Sequence, residues 1–201
     1  FIAIGGYSAA YISKILVNYK LPPVLQLVLV SLFGGVVAAL FGFFVGASTL
    51  RLRGDYLAII TLAFGEIVKY IIQNLDFLGG ATGLNNIPRI IDFSNSYFIV
   101  VISIIIIAMA MTSRKGKEIL SIRENEIAAE NIGMRLNRIK LYGFAFSAFF
   151  AGVGGSLFAH NIGILKPDKF GFLFSIEILV MVVLGGLGSI TGAIISAILL
   201  T

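Results

Sequence analysis

Apolar residues in this chain do not alternate with polar ones. They come in long runs, separated by short stretches where Lys, Arg, Asp, Pro and Gly collect. A helix that crosses a bilayer needs about 20 mainly apolar residues at about 1.5 Å rise each. On that rule the chain divides into Phe1–Val17, short for a span; Val24–Leu50; Tyr56–Leu75, which carries polar residues; Tyr97–Thr112; Leu141–Ile162; and Phe172–Leu200, interrupted by glycines. Pro22-Pro23, Asn74-Leu75-Asp76 with Gly79-Gly80, and Lys166-Pro167-Asp168 punctuate these runs as loops. Backbone groups facing lipid must be paired within their own segment, and open strand edges are not tolerated there. The pattern therefore predicts an all-α, polytopic integral membrane helix bundle.

Composition agrees. The chain is 58% hydrophobic and 12% charged, against roughly 45–50% and about 25% in soluble domains. It has no cysteine and one histidine, which excludes disulfides, thiolate metal sites and enzyme chemistry built on those groups; no cofactor is expected. A net charge of +5 is modest and carries no nucleic-acid signal; its distribution between loops is the informative quantity. Residues 1–10 have neither a basic start nor a cleavage pattern and do not read as a signal peptide. The chain starts and stops inside apolar sequence, so 1–201 reads as one transmembrane domain lacking parts at both ends.

Counting Lys and Arg near the span ends gives nine on one side (Arg51, Arg53, Arg114, Lys115, Lys117, Arg123, Arg135, Arg138, Lys140) and five on the other (Lys14, Lys20, Arg89, Lys166, Lys169). The richer side, with the loop 114–140, is expected to be cytoplasmic. Lys69 lies within a span and is not counted. The alternation requires Tyr56–Leu75 to cross fully.

That loop contains the most polar helix pattern in the chain. Ser121-Ile122-Arg123-Glu124 has the form of a capping box, which predicts a helix start near Ser121, and Gly133 is a natural stop. The result is about three turns, too polar to span. Ala129 and Gly133 stand one turn apart with Ala128 beside them, a strip nearly free of side chains flanked by Glu124, Glu126 and Glu130. Two readings are open: a solvated loop that happens to be helical, and a docking helix for a cytosolic partner.

The run Glu126-Ile127-Ala128-Ala129-Glu130-Asn131-Ile132-Gly133 resembles the E-A-A…G loop of ABC-importer permeases. Two longer stretches, Arg51 to Glu66 (RLRGDYLAIITLAFGE) and Met181 to Ala193 (MVVLGGLGSITGA), are similar to the permease of the high-affinity branched-chain amino acid ABC importers. The resemblance covers nearly the whole chain, although the family has further helical sequence before Phe1 and after Thr201. It implies a multi-pass subunit in a bacterial or archaeal inner membrane. Its implied partners are cytosolic ABC ATPase subunits, a second homologous permease and an extracytoplasmic substrate-binding protein. It also implies that Glu126, Ala128, Ala129, Glu130 and Gly133 form the ATPase-coupling helix. Gly79-Gly80-Ala81-Thr82-Gly83 lacks the G-K-[ST] ending of a Walker A loop, so ATP hydrolysis is expected on another chain and this one is not an enzyme.

Polar residues inside spans are candidates for a translocation pathway. Thr61, Glu66, Lys69 and Gln73 lie in Tyr56–Leu75. Glu66 and Lys69, three apart, can meet on one helix face; mutual neutralisation is the simpler reading, and contact with both charges of a zwitterionic amino acid the sharper one. Gly185-Gly186-Leu187-Gly188 falls about 14 residues into its run, short of a full span, and predicts a broken helix near the midplane that exposes backbone to a cavity. Glu177, after Ser175, reads as a first-turn carboxylate behind an N-cap. His160, near the outer end of its span, reads as a packing residue without a further role. Ser147, Ala151 and Gly155, like Gly188, Gly192 and Ser196, repeat every four residues as small-residue packing ridges. The outer loop with Asp76, Arg89 and Asp92 and the tip Lys166–Lys169 suit transient landing of a binding protein. A secondary transporter or channel would share the composition but not the docking helix; urea or short-chain amide permeases remain within the importer reading. A membrane enzyme would need a cluster of acids, histidines or cysteines that this chain lacks.

Overall fold

The computed structural model describes residues 1–17, 22–49 and 55–200. Lys20, Arg51 and Arg53 from the charge count, and the opening of the Arg51–Glu66 motif, lie outside them. Among the described residues the chain forms α1 (Ile2–Leu16), α2 (Pro23–Thr49), α3 (Asp55–Gln73), α4 (Phe93–Thr112), α5 (Arg114–Glu124), α6 (Glu126–Asn131), α7 (Leu136–Ile162), α8 (Phe172–Gly185) and α9 (Ile190–Leu200), with short 3-10 turns at Asp76–Leu78, Gly80–Thr82 and Pro167–Phe170. An isolated antiparallel β-bridge pairs Leu84 with Leu165. Helices α2, α4 and α7, of 27, 20 and 27 residues, are long and apolar enough to cross a membrane.

The centre of the bundle is α1, α2 and α7, and glycine is what lets them approach. In lipid there is little hydrophobic drive between helices, so contact rests on van der Waals packing of small surfaces. A Cβ on Gly5 would run into the backbone of Gly152, one on Gly6 or Gly155 into the facing backbone, and one on Gly42 into Ala148. The buried ridge of α7 is Ala148, Gly152, Gly155, Ser156 and Ala159. This differs by one position from the expected ridge. Gly155 lies on it, Ala151 is only half-buried and Ser147 is exposed, because the helix is rotated so that its glycines meet Gly5 and Gly34. His160 is fully buried on the same helix, with its Nδ1 2.7 Å from the Ser156 carbonyl.

Helix directions follow from the contacts. Phe1 packs edge-on against Phe144, at ring centroids 5.4 Å apart, and the Tyr7 hydroxyl donates to the Leu165 carbonyl beyond the far end of α7, so α1 runs with α7. Helix α2 runs against it: Gly34 and Gly35 meet Gly152 and Phe149, and Gly42 meets Ala148. Arg89 reaches the Ile162 carbonyl. Lys14, Arg89, Lys166 and Lys169 thus lie toward one end of the bundle, and the α5–α6 segment with its Lys and Arg residues toward the other.

Three local expectations are corrected. Ser121 does not start a helix: it lies inside α5, its hydroxyl donating back to the Glu118 carbonyl at 2.8 Å. Helix α5 starts instead after Ser113, whose Oγ accepts from the Gly116 amide. The expected three-turn helix is also divided, because Asn125 is extended (φ −156°) and caps α6. Glu177, in turn, is not a first-turn carboxylate, since α8 already begins at Phe172.

Candidate functional site

Glu66, Lys69 and Gln73 repeat at i, i+3 and i+7 and so share one face of α3. That face meets the segment joining α7 to α8. Glu66 Oε1 accepts from the Phe172 amide at 2.6 Å; Gln73 Nε2 donates to Asp168 Oδ1 at 2.7 Å; Lys69 Nζ stands 3.6 Å from Glu66 Oε2. Glu66 therefore does for α8 what Glu177 was expected to do. A carboxylate at a helix N-terminus satisfies an amide without an intrahelical partner and is favoured by the dipole.

Beside these contacts opens a cavity of about 470 Å³ lined by Glu66, Lys69, Asp168, Lys169 and Glu177 together with Phe158 and Phe174. Glu177 is exposed to it and has no hydrogen bond or ion pair among the described residues. Carboxylates within apolar helices are costly and normally face a polar cavity or a partner. The Glu177 carboxylate does the former.

A second space, of about 200 Å³, lies between the start of α1, α3 and α8, lined by Ile2, Val45, Thr61, Phe64, Gly65, Val68, Phe174 and Ile178 among others. Thr61 Oγ1 donates to the Leu57 carbonyl at 3.0 Å; Phe1 and Ser175 also line this space, whose wall is mainly but not wholly apolar. Phe174 lines both spaces.

Gly185, Gly186 and Gly188 are elsewhere. Helix α8 ends at Gly185, Gly186 and Gly188 both adopt φ of +93°, and α9 packs back where the Gly185 and Gly192 backbones meet. The Ser189 hydroxyl accepts from the Gly192 amide at 3.1 Å, and Ser196 is buried on α9. The break exists, but it sits against α5, with the Arg123 guanidinium lying on Gly188, and does not border the Glu66 cavity. Thr61, the Glu66–Lys69 pair and the glycine turn are thus brought to three places.

In α6 the Asn125 Oδ1 accepts from the Ala128 amide at 3.0 Å. The small strip is divided between two faces. Ala129, 2% exposed, packs inward with Ile122 and Leu136, and Glu126 is held by Lys140 at 2.6 Å. Ala128, Glu130 and Gly133 face out, Gly133 at φ +86° with open space around it. Beside them stand Ile127 and Ile132, 73% and 77% exposed. These two isoleucines on a polar surface were not anticipated from the sequence, though a hydrophobic residue within a charged run is a legible signal.

Apolar spanning helices packed through glycine, a charged cavity beside α3 and α8 and a polar helical segment at one end define a polytopic all-α membrane helix bundle. The family described as branched-chain amino acid transport system, permease component, matches residues 1–201, and the chain belongs to it. The high-affinity branched-chain amino acid transport system permease protein LivM of Salmonella typhimurium is 37% identical over 201 residues, covering 83% of this chain and 47% of the relative. The autoinducer 2 import system permease protein LsrC of Yersinia enterocolitica is 30% identical over 187 residues, covering 87% and 52%. A probable branched-chain amino acid transport permease protein LivM of Methanocaldococcus jannaschii is 26% identical over 182 residues, covering 84% and 51%. The chain spans about half the length of these curated relatives. No solved structure gives a significant match.

Proposed function

We propose that the chain is part of the membrane-spanning permease of an ATP-driven importer for branched-chain or related amino acids, received from an extracytoplasmic binding protein. ATP is hydrolysed on separate subunits, a second homologous permease completes the pathway, and residues 114–140 form the cytoplasmic coupling loop of an inner-membrane protein. The observation that carries this reading is α6, a short helix held from behind by Ala129 and the Glu126–Lys140 pair that offers Ile127, Ala128, Ile132 and Gly133 outward. A rigidly backed apolar ridge suits insertion into a partner's groove, and rigid-body movement of such a helix is an ordinary means of transmitting closure.

The similarity to LsrC supports a second substrate reading, a solute of the kind that relative's name gives. The mixed charges around Glu66 and Lys69 favour the amino acid.

Co-purification of the full-length permease with its candidate ATPase tests the function. Wild type is expected to retain the ATPase, and Ile127→Glu and Gly133→Glu to lose it at unchanged permease abundance. No retention by wild type would instead favour a secondary transporter.

A further inference from the structure

We propose that the two spaces flanking Phe174 are one divided amino-acid site, the charged cavity taking the α-ammonium and α-carboxylate and the apolar pocket taking a branched aliphatic side chain. This rests on the importer reading and assigns it a place in the chain.

The charges in the cavity are more than its own pairs consume. One Glu66 oxygen is occupied by the Phe172 amide and the other stands 3.6 Å from Lys69, while Asp168 is engaged by Gln73. Glu177 and Lys169 line the same cavity and have no ion-pair partner among the described residues. A free anion would meet the acids and a free cation the lysines; a zwitterion satisfies both, its ammonium at Glu177 and its carboxylate at Lys69 and Lys169. An unpaired carboxylate inside an apolar helix is costly, and the ligand's ammonium removes that cost at Glu177, while Lys169, exposed in the Pro167–Phe170 turn, meets its carboxylate.

The neighbouring pocket supplies what the charged cavity lacks. Its volume of about 200 Å³ exceeds the about 150 Å³ in which an apolar cavity holds benzene, so a four-carbon branched side chain fits. Phe174 lines both spaces, so a single ligand reaching past its ring would touch the two walls together. Gly65 opens the pocket further, because a Cβ there would meet nothing within 4 Å.

The test is binding of radiolabelled leucine to the purified full-length permease complex in nanodiscs, without the binding protein, whose own selectivity would otherwise intervene. Wild type is expected to bind leucine, with competition by isoleucine and valine but not by isovalerate or isoamylamine, which each lack one charge. Glu177→Gln should weaken leucine binding by about tenfold or more. Gly65→Leu fills the pocket and should weaken leucine relative to alanine by about tenfold, with Gly65→Ala intermediate. An unchanged leucine-to-alanine ratio in Gly65→Leu overturns the side-chain assignment, and equal competition by isovalerate or isoamylamine overturns the charged cavity. Wild type that imports leucine with ATP but binds no amino acid in any nucleotide state overturns the site while leaving the importer reading intact. Absence of ATP-driven import by the complete complex sinks that reading separately.

Discussion

Glu66 holds two groups at once, the Phe172 amide through one oxygen and Lys69 through the other, and the two roles separate by substitution. Glutamine keeps a carbonyl to accept from the amide but loses the charge facing Lys69. Glu66→Gln is therefore expected to impair uptake with membrane abundance unchanged. Alanine removes both, leaving the first amide of α8 without its acceptor; loss of an anion at a partly buried helix N-terminus costs up to about 2 kcal/mol, so Glu66→Ala should also lower the melting temperature of the purified permease by several degrees. Equal loss of uptake and abundance in Glu66→Gln would reduce the residue to a folding role. The Glu66–Lys69 pairing was legible, because three-residue spacing on a helix is a local rule. The bond to Phe172 was not, since its partner lies 106 residues away and no periodicity encodes that distance. Glu177 was misread for the same reason: with the cap supplied from α3, α8 starts earlier and its carboxylate falls one turn further in.

At the scale of elements, glycines decide where helices meet and where they end, and they do so by two separable effects. Gly186 and Gly188 share a φ of +93°, a sparsely populated backbone region that costs an alanine on the order of 1–3 kcal/mol. They differ in surroundings: a Cβ at Gly186 meets only the Ser189 Cβ at 3.9 Å, whereas one at Gly188 strikes the Arg123 guanidinium. The guanidinium is the far end of a flexible, half-exposed side chain and can move aside at little cost, so Gly188→Ala and Gly186→Ala should lower the melting temperature of the purified permease by comparable amounts. A markedly larger loss for Gly188→Ala, relieved by Arg123→Ala, would mean that the guanidinium is held in place against Gly188. The break itself could be read from the Gly185–Gly188 run, and the stop at Gly133 from a single glycine. The division of the expected coupling helix could not. Asn125 interrupts it by placing its side chain on the Ala128 amide, which competes locally with helix continuation, while the S-x-x-E pattern at Ser121 is spent inside α5. Because α6 then starts at Glu126, its turn carries Ala129 inward to Ile122 and Leu136 and Ile127 outward.

For the whole molecule, long apolar runs set the spans, and the alternation of helix direction sorts the charges. Helix α4 has no buried residue and turns Phe98, Ile102, Ile105 and Met109 outward; a surface this apolar suits lipid or a neighbouring permease better than water. From it the chain passes into α5 and α6, where Arg114, Lys115, Lys117 and Arg123 gather, while Lys166 and Lys169 follow the far end of α7. Cytoplasmic loops carry the excess of Lys and Arg, so the two ends should face opposite compartments, with α3 crossing as one helix between them. The absence of cysteine from these 201 residues makes this directly measurable with single cysteines introduced into a cysteine-free full-length permease. Lys166→Cys is expected to react with a membrane-impermeant maleimide in intact cells, and Ile127→Cys only after permeabilisation. Labelling of Ile127→Cys in intact cells with protection of Lys166→Cys would invert the orientation and remove α6 from any cytosolic ATPase. Labelling of both from the outside would mean that the spans between them do not alternate, and the bundle would have to be rebuilt with a re-entrant segment in place of a crossing.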